Sequence, residues 1–247
     1  MVSKSKIKFI KSLQVKKYRK EEQSFVVEGA KSVEELLHSG FVVVWIAATE
    51  DFLFKNKETL AKRKIEVITA TENELSQMGS FQTNEAAIAI AKMKGNGVRD
   101  LKDEFCLVLD DLRDPGNIGT IIRTADWYGI TNIIASEETA DFYNPKTINA
   151  TMGSFCRVNV FYTDLSEFLA TNKLPVFGAF IDGEDVHRVN FGKRGLLVIG
   201  NESNGISSAV AKFVQHRITI PRVGGAESLN AGIATGIILD NIYKSKK

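Results

Sequence analysis

The sequence predicts an α/β protein in two parts, a C-terminal domain built on a parallel sheet and a smaller α/β domain before it. Three observations lead there. From residue 105 onward, six short apolar runs each give way to a helical pattern or a polar loop, the mark of strands buried on both faces. Before residue 92, apolar runs alternate with amphipathic stretches, enough for a second, smaller α/β layer. Between the two lies KMKGNGVRDLKDE, charged and holding two glycines, as linkers are. The expected boundaries are residues 1–91, a linker at 92–104, and residues 105–247.

Taken in order, residues 3–20 place Ile7, Ile10, Leu13 or Gln14, and Lys17 along one helical line with lysines elsewhere, a short basic amphipathic helix. Phe25–Val27 is a compact strand, residues 30–38 a helix with Val33, Leu36 and Leu37 inward, and Phe41–Ala48 a buried strand. A helix over 52–63, a strand over 65–69, a helix over 71–79 and a strand over 86–91 complete the first part. The helix at 71–79 carries Thr71 and Glu74 at capping-box spacing.

In the second part, Leu107–Leu109 stops at Asp110-Asp111, and a turn-forming Asp114-Pro115-Gly116-Asn117 leads into Ile118, Ile121, Ile122 and Ala125 at helical spacing. Further strands follow at 130–135, 158–162, 175–182, 196–200 and 217–220, with a helix at 164–171. Residues 137–157 are polar and broken at Asn144-Pro145, which predicts a surface loop with a short helix. Lys146, Thr147 and Asn149 are available there to face a substrate.

Composition narrows the classes. With 44% of 247 residues hydrophobic, a large core is available. No apolar run approaches the ~20 residues a membrane helix needs, and the lysine-rich start has no apolar h-region behind it. No membrane association is expected, and a reducing cytoplasm fits Cys106 and Cys156 as buried free thiols. No C-x-x-C or histidine cluster offers a metal site. The net charge is only +2, yet the first twenty residues hold eight basic side chains and no acid. Such a leader fits a polyanion partner, or a solvated tail.

Three polar turns follow buried strands. The first is LVLDDLRDPGNIGTIIRTADWY, residues 107–128; the second LLVIGNESNGI, 196–206; the third HRITIPRVGGAESLNAGIA, 216–234. Strands that deliver polar groups to their C-terminal edge are where open α/β sheets place ligands. Neither G-x-G-x-x-G nor G-x-x-x-x-G-K-[ST] occurs. Together the three segments resemble the signatures of the SpoU/TrmH family of RNA ribose 2′-O-methyltransferases, in the SPOUT superfamily. Asn117 and Arg123 carry the likeness in the first, Gly200, Glu202 and Gly205 in the second, and Ser228, Leu229 and Asn230 in the third. Residues 3–95 are similar, more loosely, to the RNA-binding domain that precedes many of these enzymes. One departure stands out: Ala231-Gly232 follow Asn230, where the family often has a β-branched residue and serine.

The resemblance implies a C-terminal trefoil-knot domain that binds S-adenosylmethionine. It places Gly200, Ile220 and Leu229 at the cofactor and Asn117, Arg123, Glu202, Ser228 and Asn230 at the reaction, with no metal. It also implies RNA as partner, ribosomal more than transfer RNA, and a homodimer in which Arg123 of one protomer reaches its partner's cofactor. The sequence adds apolar surplus on the helices of Ile118–Tyr128 and Ile233–Ile242, which suits an interface. Arg123 acts either as a base, as the family proposal has it, or as an electrostatic positioner. Read from residues alone, Glu202 is equally an exposed turn carboxylate and Ser228 a helix N-cap. A second reading of the whole chain is a non-catalytic RNA-binding or ribosome-assembly factor on the same fold; a third, a nucleotide-binding α/β enzyme unrelated to RNA, is disfavoured by the missing phosphate motifs and the basic leader.

Overall fold

Ten strands and eleven α-helices follow one another in the computed structural model, which describes residues 2–97 and 105–244. The expected linker, 92–104, therefore lies in large part outside the described residues. In chain order the elements begin α1 (Lys4–Ser12), α2 (Lys16–Glu22), β1 (Ser24–Glu28), α3 (Ala30–Leu37), β2 (Val43–Ala48), α4 (Glu50–Lys55), α5 (Lys57–Arg63), β3 (Glu66–Thr69), α6 (Glu72–Met78) and β4 (Ala87–Lys92). They continue with β5 (Phe105–Asp110), α7 (Pro115–Trp127), β6 (Asn132–Ala135), α8 (Pro145–Ala150), β7 (Asn159–Tyr162), α9 (Leu165–Thr171), β8 (Val176–Asp185), β9 (Gly195–Gly200), α10 (Ser208–Ala211), β10 (His216–Thr219) and α11 (Ala231–Lys244). Two compact units result: Met1–Gly95 with Asp141–Cys156, and Asn96–Ala140 with Arg157–Lys247.

The first unit is a four-stranded sheet in the order β1-β4-β2-β3, antiparallel except for the β2–β3 pair. Because side chains alternate along a strand, β4 sends Ile88 and Ile90 into a core with Ile10, Leu13, Val26, Trp45, Leu75 and Met78. Phe25, next to Val26, points to the other face and meets the rings of Phe41 at 5.4 Å, Tyr143 at 4.6 Å and Phe155 at 6.0 Å.

Residues 141–156 are thus no surface loop. Phe142, Tyr143, Ile148 and Phe155 are buried, and so is Thr147, whose hydroxyl donates to the Asp141 carbonyl rather than facing a substrate. Burial pushes the Tyr143 hydroxyl up to about 12, while its oxygen accepts the Lys94 backbone N–H.

The basic leader also differs from its expectation. It is two helices, not one, with Ile10 and Leu13 in the core between the charged positions. Arg19 is 1% exposed. Its Nη1 donates to the carbonyls of Leu13 and Gln14, and Nε and Nη2 donate to Asp141 Oδ2 at 3.1 and 2.6 Å. Lys6 pairs with Glu66 at 2.7 Å. Lys4, Lys8, Lys11, Lys16, Lys17 and Lys20 remain exposed. The helix expected over 52–63 is likewise two, divided at Asn56, whose side-chain amide donates to the Phe52 carbonyl. The capping box at Thr71 and Glu74 is present.

The second unit is a six-stranded sheet, β10-β8-β9-β5-β6-β7, with every pair parallel. One face packs Cys106, Val108, Ile134, Leu196 and Val198 against Leu165 and Leu169 of α9 and Val210 of α10. Cys106 is buried as expected, whereas Cys156 in the first unit is only half-buried. After edge strand β10, residues 220–230 lead back to α11, which packs on α7 and β9, the return that a knotted C-terminus needs. Helices α7 and α11 lie close because glycines face threonines. A Cβ on Gly232 would sit 2.9 Å from Thr120 Cγ2, and one on Gly236 3.9 Å from Thr124 Cγ2. Farther along, Tyr128 donates to Asp240 at 3.2 Å and its ring lies 5.2 Å from that of Tyr243. The contacts advance together along both helices, so the two run in the same direction.

That packing corrects the expected apolar surplus. Ile118, Ile121, Ile122, Ile238, Leu239 and Ile242 are buried within the chain, leaving Trp127 at 84% and Ile233 at 56% as the exposed apolar side chains of the pair.

Candidate active site

At the C-terminal end of the parallel sheet, β5 and β9 finish side by side at Asp110 and Gly200. Each passes into a turn that the other helps to shape. Buried Asp110 accepts the Ser207 backbone N–H at 2.7 Å. Asn201 donates through Nδ2 to the Asp111 carbonyl at 2.7 Å, and its Oδ1 accepts the N–H groups of Ser203 and Asn204. Sequence reading passed over Asn201, although an asparagine two and three residues before such N–H groups is the signal of an Asx turn. Asp111 takes φ +55° at this junction, a left-handed backbone that aspartate tolerates.

Asp114 caps α7 by accepting the Asn117 N–H at 2.7 Å, with Pro115 at the first helical position, where its missing N–H costs nothing. That seats Asn117 in the first turn of α7. On α11 the cap is Asn230, whose Oδ1 accepts from the N–H groups of Gly232 at 3.0 Å and Ile233 at 3.3 Å. The cap is therefore not Ser228.

Those caps determine a chain of amides. Backbone N–H groups can only donate, so the Asn230 atom facing them is the oxygen and the atom facing away is nitrogen. Asn230 Nδ2 donates to Asn117 Oδ1 at 2.7 Å, and Asn117 Nδ2 donates to Glu202 Oε1 at 2.8 Å. Three residues from three separate turns form one polarised line that ends on a carboxylate, each bond strengthening the next. Since α7 and α11 run in the same direction, both begin at this line, and their positive ends favour the Glu202 charge.

The other expected site residues stand apart from the line. Arg123 is exposed on α7 and has no hydrogen-bond or ion-pair partner among the described residues. Ser228 and Leu229 lie in residues 221–230, all exposed, and Ile220 is half-buried. Gly200 is needed for a different reason from ligand approach: a Cβ there would overlap the backbone of Gly205 and Ile206. Gly205 itself has φ +69°, and its N–H and C=O both bond Asn201. The second motif is thus a turn folded on its own strand end.

What fits a cofactor here is main chain. Among the described residues, no backbone–backbone hydrogen bond involves Ile220 to Leu229, and the space a Cβ would take at Gly224 and Gly225 is open. Ten residues of accessible peptide groups beside the strand ends suit a ligand held through N–H and C=O groups.

A family model described as the SpoU rRNA Methylase family matches residues 104–240, more than half of the chain. The chain belongs to the SpoU rRNA methylase family. Residues 4–89 match the MRM3-like substrate binding domain. Among SpoU relatives, 29% of residues are shared with the 23S rRNA (guanosine(2553)-2'-O)-methyltransferase RlmP of Bacillus subtilis, over 95% of this chain and 94% of that one. A 23S rRNA (uridine(2479)-2'-O)-methyltransferase of Streptomyces viridochromogenes is 32% identical over 74% of this chain and 69% of its own. In structure, the AdoMet-bound rRNA methyltransferase from Sinorhizobium meliloti superposes with a TM-score of 0.89 at 29% identity, covering 99% of this chain and 97% of that one. The SpoU match spans all three turns that meet at the amide line.

Proposed function

We propose that this protein methylates a ribose 2′-hydroxyl of RNA, in ribosomal RNA, with S-adenosylmethionine as donor. The observation that carries the reading is the line Asn230–Asn117–Glu202, which ties three separate family motifs into one polar site. S-adenosylmethionine, when bound, supplies an electrophilic methyl group on a sulfonium. Ile220, Leu229 and the open peptide groups between them are its holders, with Gly200 shaping the turn beside them. Ser228 lies in that stretch as a further hydroxyl for cofactor or nucleotide.

Fixing a hydroxyl in line with the methyl carbon supplies much of the acceleration such displacements need. Arg123 suits an anion: its guanidinium keeps its charge and has no acceptor, so it positions a phosphate and steadies the developing alkoxide rather than taking the proton. Glu202 supplies the acceptor, its orientation held from behind by two amides whose own directions are set by a helix cap. Exposed Lys4, Lys8, Lys11, Lys16, Lys17 and Lys20 supply phosphate contacts that hold RNA without reading its sequence.

Arg123 has no partner among the described residues of its own chain, and Trp127 and Ile233 leave apolar surface on the same helix pair. Both favour a homodimer, the commonest assembly, in which Arg123 serves the partner's cofactor loop. The protein works in the cytoplasm, where its RNA is.

Calorimetry on chelator-treated protein, followed by mapping of 2′-O-methyl sites in RNA from cells with and without it, tests the activity. Cofactor binding without metal and one lost ribosomal methyl site are expected; no binding and an unchanged map would overturn the reading. Mixing Arg123→Ala with Asn230→Ala protein under subunit exchange tests the shared site. Recovery of activity is expected, because one of the two sites in a mixed dimer is then intact. No recovery between folded, exchanging variants would assign Arg123 to its own chain.

A further inference from the structure

We propose that the second unit carries another ligand site, at the opposite end of the parallel sheet from the amide line, that takes a nucleotide by its phosphate and base. The proposal goes beyond the methyltransferase reading and does not depend on it. Strands β8, β9 and β10 are parallel neighbours that begin at Val176, Gly195 and His216. Where they begin, a cavity of about 410 Å³ opens, and its lining brings together Lys173, Lys193, Arg194 and His216 from three stretches of chain. Among the described residues, no carboxylate lines it.

Its floor is aromatic. Phe177 and Phe191, both buried, have ring centroids 5.0 Å apart. The His216 ring stacks on Phe177 at 4.7 Å and 21°, and His216 is exposed. The combination fits one chemistry better than others. The described lining is cationic and offers no carboxylate to a bare cation. Exposed Lys173 and Lys193, from two of those stretches, suit a phosphate as point charges. An accessible ring fixed by stacking from behind is a platform for a base. The volume falls in the range of small-ligand pockets, which begins at about 300 Å³. A nucleotide uses all three features at once, either free or as one unit of an RNA strand.

The test is calorimetry on the full chain with saturating S-adenosylmethionine, which keeps the nucleotide out of the cofactor loop. Uridine monophosphate, inorganic phosphate and a short single-stranded oligoribonucleotide are the probes. Uridine monophosphate should bind more tightly than phosphate. The double variant Lys173→Glu, Lys193→Glu should weaken it by roughly ten-fold or more, since charge-assisted bonds are lost. His216→Ala should weaken uridine monophosphate but leave phosphate unchanged, a split that a merely structural effect would not give. Melting curves and S-adenosylmethionine affinity should not move in either variant. A parallel loss of oligoribonucleotide affinity identifies an RNA strand as the source, and loss confined to the mononucleotide identifies a free nucleotide. Uridine monophosphate binding no tighter than phosphate, or equally tight in the double variant, would overturn the proposal. Should S-adenosylmethionine fail to bind at all, the same titrations still read this site and the cofactor reading fails separately.

Discussion

Arg19 and Arg123 read alike in the sequence, each a cation on a helix beside apolar positions in a chain that resembles RNA enzymes. The fold gives them opposite conditions. Arg19 is enclosed in the first unit and spends its donors on Asp141 and on the carbonyls of Leu13 and Gln14. Arg123 stands exposed on α7 with no partner among the described residues. The difference teaches that positive charge marks a candidate for RNA only while nothing in the protein neutralises it. A buried arginine with a carboxylate partner belongs to the fold, and one left free is available to a ligand.

Replacing each arginine should therefore fail in different ways. Arg19→Ala strands the Asp141 charge in a site that Arg19 had neutralised, and breaking such pairs costs about 3–5 kcal/mol. Denaturant melts should show that loss in the first unit, with RNA binding lost only as far as the fold is. A melt like the wild type's would return Arg19 to the RNA-facing set. Arg123→Ala should leave the melt unchanged and reduce kcat by on the order of 10²–10³, the range seen when one preorganised charge-stabilising group is removed. Cofactor affinity from calorimetry should hold, because Arg123 makes no contact that shapes residues 220–230. A variant that melts early would show a structural role instead.

The contrast also shows what local pattern can reveal. The strands of the parallel sheet and the three motif turns were readable because each rests on neighbouring residues: an apolar run, a turn, then a helical period. Even the amide line was foreshadowed, since all of its members stood out as motif residues. Their connection was not, because Asn117 and Asn230 are 113 positions apart and only the parallel packing of α7 on α11 joins them. Residues 141–156 misled for a similar reason. Their apolar side chains follow no regular period, and the surface that buries them is Phe25 with its neighbours, more than a hundred positions earlier. Arg19 pairs across 122 positions. A pairing at that distance leaves no trace in a window of a dozen residues.

Asn230 sharpens the comparison, because one side chain holds both kinds of role. Its oxygen caps α11 and its nitrogen orients Asn117. Asn230→Ala should cost about 1 kcal/mol as a lost cap, together with activity. Asn230→Asp keeps the cap but sets an oxygen against Asn117 Oδ1, so Asn117 must turn its nitrogen toward residue 230 and away from Glu202. Melts near the wild type's with activity reduced as in the alanine variant are expected. If the aspartate variant keeps full activity, the direction of the amide line has no part in catalysis.

The smallest effect concerns Gly232, which stands where relatives of this family often carry serine. In the first turn of α11 glycine still gives up helix propensity to alanine, by at most the interior value of about 1 kcal/mol, so it needs a reason to be there. The reason is Thr120: a Cβ at residue 232 would lie 2.9 Å from its Cγ2, and a β-branched side chain has little freedom to withdraw. Gly232→Ala should therefore gain propensity and lose packing, with a net loss of roughly 1 kcal/mol, at the mild end of overpacking. Made on a Thr120→Ala background, the same substitution escapes the 2.9 Å contact and meets only the Cβ of residue 120 and Asn230 Oδ1, each at 3.2 Å, so the loss should shrink toward zero. Four melts, one for each corner of the double-mutant cycle, measure the coupling directly. Equal effects in both backgrounds would mean that α7 and α11 do not depend on this contact for their approach. The close start of the two helices, on which the Asn117–Asn230 bond rests, would then need another cause.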